Sequence, residues 1–243
     1  MFFGNFLLFF ARSAGFFLIS PLFSKRNIPM PLRLGFAALC TLVLIPPLAI
    51  SFEVKVDSAL LLLEVIKEVA IGYLLGFLFS LLFEAAMLAG QIVGTMAGFS
   101  ITELFEPKGQ ENTSIFGKLF ALTVFTLFLA LDLHHHLLRF LFSSYRLIPL
   151  VPSTISIVEA SSRLFVHGVM YAFVPLLFLS FVLVTFAVIS RALPSIPIFW
   201  IGFPAQLLIG IVATALALAF FSEILQKAFF EFLTLSKRIL FPL

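Results

Sequence analysis

Residues 164–190, LFVHGVMYAFVPLLFLSFVLVTFAVIS, and residues 192–222, ALPSIPIFWIGFPAQLLIGIVATALALAFFS, contain no Asp, Glu, Lys or Arg and are parted only by Arg191. At about 1.5 Å of rise per helical residue, either run outreaches the ~30 Å hydrocarbon layer of a bilayer, and water-soluble chains seldom leave about 20 apolar residues unrelieved. The two runs predict a chain that lives in a membrane. Closed β-barrels satisfy their backbone with short strands of alternating polarity, whereas these runs are continuously apolar, so helices are the predicted solution.

The rest of the chain agrees. It is 62% hydrophobic and 11% charged, with mean hydropathy +1.19, against about 45–50% apolar and 25% charged in ordinary globular domains. The predicted fold is all-α: a polytopic membrane protein of about six long, Gly- and Pro-interrupted helices arranged as hairpins, with residues 1–243 forming one membrane-embedded domain. The net charge of +3 comes from scattered Lys and Arg, which argues against nucleic-acid binding and suits contact with anionic membrane lipid. A single cysteine, Cys40, excludes an intramolecular disulfide. The first ten residues lack a basic n-region, and no small-residue cleavage site precedes the polar turn at residues 24–27, so the opening helix reads as retained.

Helices are predicted at residues 2–20, 32–50, 59–98, 114–142, 161–190 and 204–235. Pro21, Pro29 and Pro31 bracket the first connection, Pro46 and Pro47 close the second helix, and Pro194, Pro197 and Pro204 break the start of the last, because proline lacks the donor a continuing helix needs. Pro175 predicts a kink in the fifth helix. Glu64, Lys67 and Glu68 share one helical face; they read either as a solvated helix end or as an ion-pair seam against another subunit. Lys and Arg divide about evenly between the two sides, so the positive-inside rule does not orient the chain.

Two small-residue series mark the third helix: Gly72, Gly76, Ser80 and Glu84, then Ala86, Gly90, Gly94 and Gly98. In lipid, helix association depends on close backbone approach, so such stripes mark where another helix lies. Glu84 sits between charge-free stretches of 15 and 18 residues, where a carboxylate is costly unless paired, hydrated or protonated. It and Arg191 are the intramembrane polar residues on which a secondary transporter or ion channel would rely. That alternative is favoured by a paired inverted repeat, and none is visible.

His134, His135 and His136 look like a metal tract, yet consecutive helical residues point about 100° apart and should not converge on one ion. The sequence has no HExxH, GxSxG or GxxxxGK, so neither a catalytic residue, a metal nor a cofactor is expected. Residues 98–112, GFSITELFEPKGQEN, must leave the helix and the lipid. Polar backbone at membrane depth is tolerated only inside protein or beside water, leaving an external connection, which composition favours, or a channel lining.

Five blocks in order carry a family resemblance: ARSAGFFLISPLFSKRNIPMPLRLGFA from Ala11, EVAIGYLLG from Glu68, AGQIVGTMAGFSITELFEP from Ala89, LHHHLLRFLFSSYRLIP from Leu133 and SRALPSIPIFWIGFPAQLLIG from Ser190. Together they resemble the FliR family of flagellar export-gate proteins and its injectisome counterpart, the SctT family. The histidines lean flagellar and Ser144-Tyr145 leans towards injectisomes, which leaves both subtypes open. The resemblance implies an inner-membrane gate subunit that joins FliP-like and FliQ-like partners, with an FlhB-like switch protein, around a pore for unfolded export substrates. It also implies that assembled subunits sit partly above the bilayer. Finally, it implies that the loop matching residues 98–112 helps plug the closed pore, which reverses the compositional preference. Met96, Phe99, Ile101, Phe105 and Pro107 are the plug residues so implied; Gly72, Gly76, Gly90, Gly94 and Gly98 are read from their spacing as packing and assembly residues.

Overall fold

The computed structural model of the chain describes residues 2–21, 29–48, 58–98, 114–146, 154–192 and 198–240. Among them are seven helices and no strand: α1 (Phe2–Ile19), α2 (Met30–Leu48), α3 (Ser58–Met96), α4 (Ile115–Ala130), α5 (Leu133–Arg146), α6 (Thr154–Ala192) and α7 (Ile198–Leu240). The class is all-α, as predicted, and three of the helices (α3, α6 and α7) are long and apolar enough to cross a membrane, or four spans if the broken α4–α5 pair counts as one.

Two boundaries differ from expectation. The predicted helix at 114–142 is two helices, because Asp132 adopts a left-handed φ of 55°. Aspartate is among the few side chains that visit this region readily. The Leu131 amide closes α4 on the Leu127 carbonyl at 2.9 Å, and the Asp132 carbonyl accepts from the His135 amide at 3.1 Å to open α5. Second, α7 begins before Pro204. The second helix ends at Leu48, just past Pro46 and Pro47, and Pro175 lies inside α6. Proline inside an apolar helix is tolerated where neighbouring groups re-satisfy the freed carbonyl.

The chain divides into two compact units. The first comprises Met1–Leu81, Asp132–Ser162 and Phe230–Leu243. Here α1 and α2 form an antiparallel hairpin, with Thr41 opposite Ser13 and the Arg33 guanidinium donating to the Leu18 carbonyl at 3.4 Å. The start of α3 runs parallel to α1, as the pairs Arg12 with Glu68 and Phe16 with Phe79 require. Its aromatic core passes from Phe16 to Phe79 (6.0 Å), to Phe232 (5.7 Å) and to Phe140 (5.9 Å).

The second unit comprises Leu82–Leu131 and Arg163–Phe229. The end of α3 and α4 make an antiparallel hairpin, in which Gly90 and Gly94 face Phe116 and Ser114 near one end and Phe83 meets Phe128 at the other. Parts of α6 and α7 form a second antiparallel hairpin through Tyr171 with Phe221 and Leu179 with Gly210. Edge-on ring contacts dominate this core: Phe120 with Phe221 at 4.9 Å, Tyr171 with Phe221 at 4.8 Å, and Phe128 with Phe229 at 5.8 Å. Such arrangements add to burial by aligning ring edge with ring face.

Helix lengths carry their own information. With 39 residues in α3 and in α6 and 43 in α7, each measures about 58–65 Å at ~1.5 Å per residue, roughly twice the ~30 Å hydrocarbon layer.

A Cβ at Gly90 would collide with the Phe116 carbonyl, and one at Gly94 would lie 2.7 Å from Ser114 Oγ. At Gly35, on α2, a Cβ would have no heavy atom within 4 Å. Gly90→Leu is therefore expected to abolish the monodisperse peak of the detergent-solubilised chain in size-exclusion chromatography, while Gly35→Leu leaves it intact.

Candidate functional site

The first helix carries one charged residue, Arg12, and that side chain is fully buried. Its guanidinium forks onto the Glu68 carboxylate, Nε to Oε2 at 2.5 Å and Nη2 to Oε1 at 2.9 Å. Nη1 donates to the Ser144 carbonyl at 2.5 Å and to Ser144 Oγ at 3.2 Å. The Tyr145 ring lies beneath it, 4.6 Å from centroid to guanidinium carbon. Planar, bidentate pairing is what guanidinium and carboxylate geometry favour, and the aromatic face adds a cation–π contact.

A hydroxyl relay continues outward from the ion pair. Tyr145 Oη donates to the Phe9 carbonyl at 2.8 Å, and Ser13 Oγ lies 2.8 Å from Tyr145 Oη. Thr41 Oγ1 donates to the Ala37 carbonyl at 2.7 Å and sits 3.4 Å from Ser13 Oγ. One cluster thus joins α1, α2, α3 and α5.

The local sequence explains how α1 comes this close. Glu68, Gly72 and Gly76 follow at four-residue intervals and share a stripe on α3. At Gly72 a Cβ would strike the Arg12 carbonyl, and at Gly76 it would meet Ile19 and lie 2.7 Å from the Phe16 carbonyl. Backbone-to-backbone approach at the glycines brings Arg12 within reach of the carboxylate one turn earlier. Gly15 answers from the other side, its Cβ position 2.5 Å from the Val69 carbonyl.

Glu64, Lys67 and Glu68 therefore divide. Glu64 and Lys67 form an exposed pair at 3.7 Å, as a solvated face would, whereas Glu68 is only 6% exposed and pairs within its own chain. Neither expected reading, a solvated end or a seam against another subunit, describes Glu68. Sequence reasoning left Arg12 without a role. Its signal was a lone cation in an otherwise uncharged helix.

Gly90 and Gly94 meet the start of α4, so these small residues, like Gly72 and Gly76, face helices of the same chain. Gly98 ends the α3 turn with φ 89°, a conformation that suits a residue without Cβ. Phe99, Ile101, Phe105 and Pro107 lie outside the described residues. The two ends of that segment are described. Met96 closes α3, and its carbonyl accepts from the Gln206 side-chain amide on α7; Ala97 packs on Gly210. Ser114 caps α4, its Oγ accepting from the Gly117 amide at 3.3 Å. Glu84 is exposed on α3, and Arg191 is exposed in the last turn of α6.

The histidines also divide. The rings of His134 and His135 are 4.1 Å apart, and His136 turns to Phe230 at 6.0 Å. His135 Nδ1 lies 3.5 Å from Asp132 Oδ1. The Asp132 carboxylate and the His134 and His135 rings gather at the start of α5.

The family described as Bacterial export proteins, family 1, matches the chain over residues 3–232. The flagellar biosynthetic protein FliR of Buchnera aphidicola subsp. Schizaphis graminum is 27% identical over 214 residues, covering 86% of this chain and 83% of the relative. That of Pectobacterium carotovorum is 26% identical over 237 residues, covering 95% and 90%. That of Escherichia coli is 27% identical over 223 residues, covering 89% and 85%.

Removing one partner of a buried pair strands the other charge, at a cost of about 3–5 kcal/mol, whereas replacing both with apolar residues is often neutral. Arg12→Met alone is expected to lower the thermal midpoint of the solubilised chain sharply. Adding Glu68→Leu should restore most of the loss. A double variant no better than the single one would count against the ion pair as the organising contact.

Proposed function

Because this chain belongs to the bacterial export proteins of family 1, we propose that its helices complete a pore together with FliP-like and FliQ-like subunits, with an FlhB-like switch protein associated. The chain is a multi-pass membrane component of the flagellar export apparatus. Its finer assignment is to the gate through which unfolded substrates cross the inner membrane during flagellum biogenesis, with residues 1–243 acting as one gate domain. The relatives carry a flagellar name, which favours that branch over the injectisome one. The role is structural, the driving energy being supplied elsewhere.

Helix length supports this reading. Three helices about twice as long as the bilayer is thick suit a subunit that stands partly outside the lipid after assembly. Exposed Phe165, Phe173 and Phe181 on α6 are apolar surface for lipid or for neighbouring gate subunits.

The observation that carries the plug hypothesis is the treatment of the two ends of residues 99–113. One is held by Met96 and Ala97 against α7, and the other is capped at Ser114 beside Gly94. The intervening Phe99, Ile101, Phe105 and Pro107, with Met96, form the apolar plug in this proposal, and displacement of the segment admits cargo. Both anchors would outlast a change in what lies between them.

Deleting residues 101–108 while keeping both anchors is expected to raise ion leak through assembled gates in planar bilayers or in cells. Unchanged closed-state conductance, with normal gate assembly, would reject the plug role.

A further inference from the structure

The export reading leaves the α4–α5 junction unused. There Asp132, His134 and His135 each offer a donor atom, and these atoms all lie within 4.8 Å of one another. We propose that this junction is a divalent transition-metal site, with the Asp132 carboxylate and the His134 and His135 imidazoles as ligands and Zn²⁺ or Ni²⁺ as the ion.

The donor set suits that class. Two imidazole nitrogens and one carboxylate oxygen favour zinc, nickel or copper over the oxygen-seeking magnesium and calcium. With metal–ligand bonds of ~2.0–2.2 Å, tetrahedral donors stand about 3.4 Å apart, and His135 Nδ1 and Asp132 Oδ1 already stand at 3.5 Å. Their side chains are 62% and 74% exposed, so they are free to turn through the remaining distance and are reachable from water. Three protein ligands leave a position for water, as in open zinc sites. His136 is not a ligand, because its ring is turned to Phe230. Bound metal would tie the left-handed residue to the first turn of α5.

The test is calorimetric titration of ZnCl₂ into the full chain in detergent, purified without a histidine tag. One ion per chain is expected. Loss even of groups that only support metal ligands weakens binding by ~10–100-fold, so Asp132→Asn and His135→Ala should each weaken it at least about 10-fold, while His136→Ala leaves it unchanged. Asparagine tolerates the left-handed backbone, so an unaltered zinc-free melting temperature in Asp132→Asn separates lost ligation from lost folding. Absence of saturable binding, wild-type affinity in Asp132→Asn, or an equal loss in His136→Ala would each overturn the site.

Discussion

A guanidinium buried in a chain of this hydropathy is tolerable only if it is neutralised, and Arg12 is neutralised by a carboxylate two helices away in sequence. Around that pair the first unit arranges itself: Gly72 and Gly76 bring α1 onto α3, Ser144 and Tyr145 dock α5 against the charge, and the hydroxyls of Ser13 and Thr41 carry the contacts to α2. Membrane helices lack the hydrophobic drive that packs soluble ones, since lipid tails are as apolar as leucine. Directional polar contacts and close backbone fit therefore decide which helices touch. The pair supplies direction and the glycines supply proximity.

The second unit relies on close fit and aromatic edges. Gly90 and Gly94 let α4 lie against α3, Gly168 admits the Ala85 carbonyl, and Phe120, Phe128, Tyr171 and Phe221 fill the space between. This hairpin also holds the ends of the segment to which the export reading gives the decisive part.

Much of the fold was legible because bilayer physics writes itself in long uncharged runs: residues 164–190 and 198–222 belong to helices where apolarity alone predicts them. The glycine stripes were legible as contact faces, though not as contacts within one chain, because spacing says that a helix approaches and not whose helix it is. Helix ends were less readable. Pro204 lies inside α7, since proline removes one hydrogen bond without forbidding the helix around it. The break at Asp132 was missed for the converse reason: aspartate permits a left-handed turn without demanding one. Within Glu64, Lys67 and Glu68, one-dimensional spacing could not choose the residue that turns inward, because the choice is made by Arg12, more than fifty residues upstream. Of the three consecutive histidines, His134 and His135 lie ring to ring while His136 turns to Phe230, so the three do not converge, as helical spacing predicts.

The separation of Arg12 from Glu68 along the chain has a consequence for biogenesis. A ribosome that has delivered the opening helix to the translocon has handed over a cation whose counter-charge has not yet been synthesised. Until α3 follows, that helix must keep its arginine at the water boundary or in the company of an insertase, so the nascent chain waits for its own later sequence. A product ending before Glu68 would leave that arginine without the carboxylate that answers it in the folded chain.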